Sequence, residues 1–593
     1  MKRKLIKVAV LLLLLLPASS SAKESWTSVH SQNFVVIGNA GESEVRKVAI
    51  RLELFRQIIA LLSPKARIET PVPTTVIIFK SDSSFRPFKP QYKGKTRDNV
   101  AGYFLPGSDI NYIALTTELR GQSPYEVIFH EYEHFIVENN LIRAPLWLNE
   151  GLAEFYSTFE TSDDDQKVLL GKNIGRHLYA LRERRILPLK ILFAVNHKSP
   201  EYNQNSKVGI FYAESWALVH YLVLGNNRTR QAQFTQFINQ LNTDMPLEES
   251  FRQSFQTDYK GMEDELRSYV SKLTFPAVQY NLKNTQLDVV KEMQSASLSE
   301  AEAQYYMGDL LLHGNRLDEA EERLQKSMEM DANFASSRVS LGILRLRQQQ
   351  FAEARKLLQS AIAIDSRNYL AHSYYADVLS EDKQYEEAIK SYKQSIALKP
   401  DAWKTHAELG DVYLRLGRDT EAIHSFKQAL RLAPRNPSLY RNFSYDSLRM
   451  GRGTLAAAYA AAYLKLLGWR DEHSPYLALA AYFGKKQAHA TDAAKILDEA
   501  AGKLDTSAWP YPVIRYLQQA IKADELLKQA TDNDKLTEAH AYIGMEQSLS
   551  GKRDDALMHL RWVKENGNKG FIEYPLALAE LSRIERSSGD SVK

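Results

Sequence analysis

From Ala301 onward the sequence repeats every 34 residues, and this constrains the fold more than any other feature. "EAQYYMGDLLLHGNRLDEAEERLQKSMEMD" is followed by "SSRVSLGILRLRQQQFAEARKLLQSAIAID", "LAHSYYADVLSEDKQYEEAIKSYKQSIALKP" and "KTHAELGDVYLRLGRDTEAIHSFKQALRLAP". A small residue recurs at Gly308, Gly342, Ala376 and Gly410, and an alanine at Ala320, Ala354, Ala388 and Ala422. Small side chains at both places let the two helices of one unit approach closely. Pro400 and Pro434 close successive units. A single helix pair cannot bury its own apolar face, so such units stack into an all-α solenoid. A weaker fifth copy carries Ser444 and Ala456, and "AHAYIGMEQSLSGKRDDALMHL" restores the register with Gly544 and Ala556. Residues 470–536 are helical in composition but out of register. The division expected is therefore repeats over 301–468 and a diverged helical region over 469–593.

This register resembles the tetratricopeptide repeat (TPR). The resemblance implies a groove that takes an extended peptide or a partner helix, so a protein partner on the repeats is expected. The charged run "DEAEERLQK" reads as a solvated helix face and singles out no binding residue.

The other end of the chain has the layout of an export signal. A basic "MKRKLIK" precedes the apolar "VAVLLLLLLP", and small residues end at Ala22. Residues 1–22 are read as a signal peptide and the protein as exported, periplasmic or secreted; a membrane contact is expected only if that segment stays uncleaved. The formal net charge of +4 matches Lys2, Arg3, Lys4 and Lys7 of the same segment, so the remainder is near neutral and no nucleic-acid partner is expected. There is no cysteine, which excludes disulfides, an acylated amino-terminal cysteine and thiolate metal sites. Any metal must sit on histidines and carboxylates.

Residues 23–275 read as one α+β domain, joined to the solenoid by a linker at 276–300. "NFVVIGN", "TTVIIFKSD" and "INYIALTTE" are strand-like, the last either a sheet edge open to an extended peptide or a core strand. "SEVRKVAIRLELFRQIIALL" is an amphipathic helix. "SPYEVIFHEYEHFIVENN" is another, with Ser123 as N-cap, Pro124 in the first turn and Glu126 placed for a capping box. On it His130 and His134 stand one turn apart on one face, so both imidazoles can meet a single ion, while Glu131 points aside. "LWLNEGLAEF" follows, with Glu150 and Glu154 on one face of the next helix. A catalytic zinc needs a third protein ligand, which Glu150 can supply, with Glu154 as rival ligand or as a carboxylate holding a ligand imidazole.

HExxH followed by a helix reading N-E-G-x-A-x-F resembles the gluzincins, and with the repeats the chain resembles bacterial gluzincin-like peptidases that carry a TPR array. The resemblance implies a zincin-like metallopeptidase domain binding one Zn2+ through His130, His134 and Glu150, with Glu131 as general base. It also implies that Tyr212 in "FYAESWALVHYL" donates to the oxyanion; packing is the other reading of Tyr212, and His220 a lesser alternative. The separation between His134 and Glu150 is shorter than in the aminopeptidase N-like branch, and no G-x-M-E-N segment is found, so an endopeptidase acting on a peptide or protein substrate is expected rather than an aminopeptidase. The competing expectation is an inactive peptidase-like TPR scaffold of an envelope complex.

Overall fold

The computed structural model describes residues 25–589 except 65, 70–71, 93–94, 99, 119–122, 142, 163–166, 185, 204, 244, 273, 282–292 and 470. The segment read as a signal peptide lies outside the described residues. Among the described residues no helix is long and apolar enough to cross a membrane.

The amino-terminal half is built on a six-stranded sheet. Its strands are β1 (Trp26–His30), β2 (Phe34–Gly38), β3 (Thr74–Phe79), β4 (Gly102–Leu105), β5 (Asn111–Thr116) and β8 (Gln294–Leu298), in the order β8-β1-β2-β3-β5-β4. The central β2, β3 and β5 run parallel and the flanking strands antiparallel. "INYIAL" is thus an interior strand, and the outer strand on that side is β4. A second, three-stranded sheet contains β6 (Lys167–Leu170) and β7 (Val278–Asn281). The stretch read as a linker, 276–300, therefore holds two paired strands, β7 and β8, and fastens the halves together rather than tethering them.

The central strands are apolar at nearly every position, so both faces of the sheet need cover. One face, with Val36, Val76, Ile78, Ile113 and Leu115, packs on α1 (Glu42–Leu62) and α2 (Pro124–Asn140). The opposite face, with Ile37, Ile77, Phe79, Tyr112 and Ala114, packs on Met307, Leu310 and Leu311 of the first repeat. The solenoid is the second cover of the sheet.

The four regular repeats are the helix pairs α6 (Glu300–His313) and α7 (Leu317–Met330), α8 (Ala335–Arg347) and α9 (Phe351–Ile364), α10 (Tyr369–Glu381) and α11 (Tyr385–Leu398), and α12 (Trp403–Arg415) and α13 (Asp419–Leu432). Ala320, Ala354, Ala388 and Ala422 are fully buried between paired helices, as their spacing requires. The fifth copy forms α14 (Pro437–Arg449) and α15 (Gly453–Leu467), where the Ser444 hydroxyl donates to the Ala456 carbonyl at 2.9 Å. The out-of-register region folds as helices that share a core with the fifth copy and with Asn533–Leu549, the first helix of the late copy.

A buried polar network ties the halves together. Tyr112 donates to Asp309 Oδ2, Ser340 donates to Asp309 Oδ1 at 2.6 Å, and Tyr374 donates to Asp109 Oδ2 at 2.6 Å. His313 sits between the two carboxylates, with Nε2 3.2 Å from Asp109 Oδ1. Buried charges of this kind are tolerated because each is paired and hydrogen-bonded. The amino-terminal half thus meets α6 through Tyr112 and Asp109, and α10 through Asp109.

Candidate metal centre

Three elements build the site. Helix α2 turns Ile128, Phe129, Tyr132 and Ile136 into the core, with Phe129 stacked on Phe55 at 4.7 Å, and this leaves His130 and His134 on the face toward the next helix. Ser123 caps α2, but its hydroxyl accepts from Tyr125 N–H and the expected capping box with Glu126 is not formed; Glu126 faces Arg176 of α4 (Gly175–Glu183) at 3.8 Å instead. Helix α3 (Leu146–Ser157) follows, anchored by Trp147 stacked on Phe193 at 4.7 Å. Helix α5 (Asn205–Arg228), which loses helical geometry at residues 225–227, lies across α3. The approach of α3 and α5 requires glycine at 151, where a Cβ would stand 2.5 Å from the Ser215 carbonyl oxygen.

This packing brings His130, His134 and Glu150 together. His130 Nε2 and His134 Nε2 are 3.2 Å apart, and each lies 3.6 Å from Glu150 Oε2. Tetrahedral zinc at its usual bond lengths of roughly 2.0–2.1 Å sets ligand atoms roughly 3.3–3.4 Å apart, so the triangle has the size of a zinc face. Glu150 Oε2 is buried and has no hydrogen-bond partner among the described residues, although it points at both imidazoles. Two imidazole nitrogens at this separation repel unless a proton or a cation lies between them. An orphaned carboxylate oxygen beside two such nitrogens is a donor set that fits Zn2+.

Electrostatics favours a cation at this place. Burial disfavours a charged His130, yet the neighbouring carboxylates of Glu150, Glu154 and Glu131 overcome it and raise its pKa to about 9. Burial likewise pushes Glu150 up, but His130 and His134 leave it below the usual carboxylate range. His134 Nδ1–H donates to Asn149 Oδ1 at 3.0 Å, which fixes the tautomer with the Nε2 lone pair facing the triangle.

Glu154 is not part of the triangle. Its Oε1 is 3.9 Å from His130 Nδ1, while Oε2 is held by His177 Nε2 at 2.9 Å and Arg176 at 3.0 Å. Burial opposes its charge, but the His177 hydrogen bond prevails and brings its pKa to about 2. Glu154 stays anionic behind His130. Glu131 Oε2 accepts the Phe104 N–H of β4 at 3.0 Å; burial raises its pKa, with His130 and His134 pulling the other way.

Tyr212 reaches the site: its hydroxyl is 3.4 Å from Glu150 Oε1. Sequence reasoning missed Tyr202, whose hydroxyl is 3.2 Å from the same oxygen and whose ring stacks on Tyr212. Burial and the Glu150 charge push both phenols up, Tyr202 to about 12. His220 is elsewhere and fully occupied, donating Nε2–H to the Gly171 carbonyl at 2.8 Å and accepting from Tyr269 at 2.8 Å. A cavity of about 330 Å³ opens on the Glu154 side of the site, lined by Glu154, Arg176, His177, Ala180, Gly209 and Tyr212. Asn149 was legible in principle as the first letter of N-E-G; Tyr202, Arg176 and His177 carry no spacing signal.

Comparison with known proteins bears mainly on the repeats. Residues 376–417 match the family described as TPR repeat, and 345–390 and 403–436 match families described as tetratricopeptide repeat. Residues 127–248, which hold the triangle, match a family described as protein of unknown function (DUF1570). No curated protein matches the chain. Among solved structures it is similar to pilF of Pseudomonas aeruginosa, with 22% identity over 38% of this chain and 98% of that one, TM-score 0.31. It is also similar to PilW, titled a widely conserved type IV pilus biogenesis factor, with 12% identity over 36% of this chain and 94% of that one, TM-score 0.31. A third is YrrB, titled a TPR protein with an unusual peptide-binding site, with 16% identity over 33% of this chain and 98% of that one, TM-score 0.27. The carboxy-terminal half of the chain thus contains tetratricopeptide repeats, a protein-interaction module.

Proposed function

We propose that this chain is a zinc-dependent peptidase of the cell envelope that hydrolyses internal peptide bonds of a protein or peptide. The observation that carries the reading is the triangle of His130 Nε2, His134 Nε2 and the unpartnered Glu150 Oε2. These three atoms would hold one Zn2+ per chain. Bound there, zinc supplies Lewis-acid chemistry, lowering the pKa of a water and polarising a carbonyl. Glu131, fixed by the Phe104 N–H, takes a proton from the attacking water and returns it to the departing amine, so that water is added across the cleaved C–N bond. The Tyr212 and Tyr202 hydroxyls, kept protonated by burial, are placed to donate to an oxyanion forming beside Glu150. That β4 is the outer strand of the sheet supports a peptide substrate, since an extended chain can add beside an outer strand by backbone pairing.

The test compares wild type with Glu131→Gln for zinc content and for cleavage of unfolded protein, with products read by mass spectrometry. Zinc in both and cleavage only in wild type supports the peptidase. Zinc in both with no cleavage in either, against unfolded protein and against proteins captured by Glu131→Gln from envelope extract, supports the inactive scaffold.

A further inference from the structure

The two helices that supply the metal ligands are joined by only a short connection, and the solenoid holds that connection from both ends. Arg143 lies in it. Its guanidinium donates from Nε to the Leu466 carbonyl and from Nη2 to the Lys465 carbonyl, both at 3.0 Å, and from Nη1 to the Thr243 carbonyl at 3.0 Å. Lys465 and Leu466 are in the last turn of α15, whose carbonyls lack partners within the helix and present the negative end of its dipole. Gly468, the next residue but one, has φ +70°, and a Cβ there would stand 2.8 Å from Arg143 Cζ. The end of the fifth repeat is shaped to receive this arginine.

The reverse contact comes from the solenoid. Arg435, between α13 and α14, donates to the carbonyls of Asn140 and Asn139, the last two residues of α2. The Asn140 side chain is itself clamped, accepting from Arg67 N–H at 2.7 Å and donating to the Arg67 carbonyl at 3.0 Å. Each half of the molecule thus uses an arginine to cap the carboxyl end of a helix in the other half, and one of those helices carries His130 and His134.

We propose that Arg143 and Arg435 are positioning residues for the metal centre, fixing α2 and α3 so that Glu150 meets the two histidines without rearrangement. This rests on the metal-site reading above. Three ligands from two helices bind an ion tightly only if the helices are held in register beforehand, and a five-residue connection without these anchors has freedom to change their separation. The TPR solenoid is on this account a structural part of the metal site.

The test measures zinc affinity of the full chain by competition with a chromophoric chelator, for wild type, Arg143→Met, Arg435→Met and Arg143→Lys, together with hydrogen exchange of the metal-free proteins. The expected result is a zinc Kd about tenfold weaker in each methionine variant, an intermediate loss in Arg143→Lys because lysine cannot fork onto two carbonyls, and faster exchange confined to the end of α2 and the start of α3. Unchanged zinc affinity in both methionine variants, with wild type binding zinc, overturns the role of the arginines and leaves the metal site standing. Wild type that binds no zinc overturns both. A variant that loses affinity only through global unfolding shows accelerated exchange throughout the chain, which also counts against the proposal.

Discussion

Asn149 Oδ1 accepts a hydrogen bond from His134 Nδ1 at 3.0 Å, so the residue that precedes Glu150 orients the His134 ring on the neighbouring helix. Asn149→Ala leaves that ring free to rotate and to change tautomer. Zinc affinity is expected to fall about 10–100-fold with little change in the melting of the metal-free protein, measured by chelator competition and calorimetry.

Tyr212→Phe removes a hydroxyl that stands 3.4 Å from Glu150 Oε1. The expected outcome is a kcat about 10²-fold lower with KM and zinc content nearly unchanged, the pattern of an interaction made in the transition state. Tyr202→Phe, run in parallel, identifies which of the two stacked phenols carries the larger share.

Gly151→Ala places a methyl 2.5 Å from the backbone oxygen of Ser215, and backbone cannot step aside as a side-chain end can. A loss of about 1–3 kcal/mol in stability of the α+β half is expected, read by denaturant unfolding followed at its tryptophans.

Acid is expected to loosen the junction between the halves. Burial raises the pKa of Asp109, but the hydrogen bond and charge of His313 win and hold it below the usual carboxylate range, and Asp309 is lowered in the same way. Groups with depressed folded pKa values stabilise above their unfolded value of roughly 4, and that contribution is lost as pH falls below it. His313 is raised by the same pair despite its burial, so its contribution is complete below roughly pH 6.5 and is lost only in alkali, as pH rises through the folded value. Thermal melts from pH 7 down to pH 3 test this: Asp109→Asn is expected to melt lower than wild type at pH 7, with the gap closing in acid.

The repeats and the grouping of His130, His134 and Glu150 were legible because each depends on spacing alone. Gly308 to Gly410 repeat at a fixed interval, and His130, His134 and Glu150 are placed by helical periodicity on adjacent helices. What stayed hidden depends on contacts between distant segments. Phe104 meets Glu131 through a backbone N–H that any residue but proline would offer, and Tyr202 reaches Glu150 from a short helix with no recurring pattern. The strands β2, β3 and β5 were apolar on both faces, yet nothing local in them said that the second cover would be the first repeat. β7 and β8 read as a linker because strands this short, with two apolar residues each, gain their identity only from the strands they join.

Titration of zinc into the metal-free chain decides whether His130, His134 and Glu150 form one metal site. Wild type is expected to bind one Zn2+ per chain in the nanomolar range or tighter, and Glu150→Gln to bind at least 10²-fold more weakly, as loss of a charged ligand requires. Wild type that takes up no zinc, or Glu150→Gln that binds it as tightly as wild type, would rule this site out.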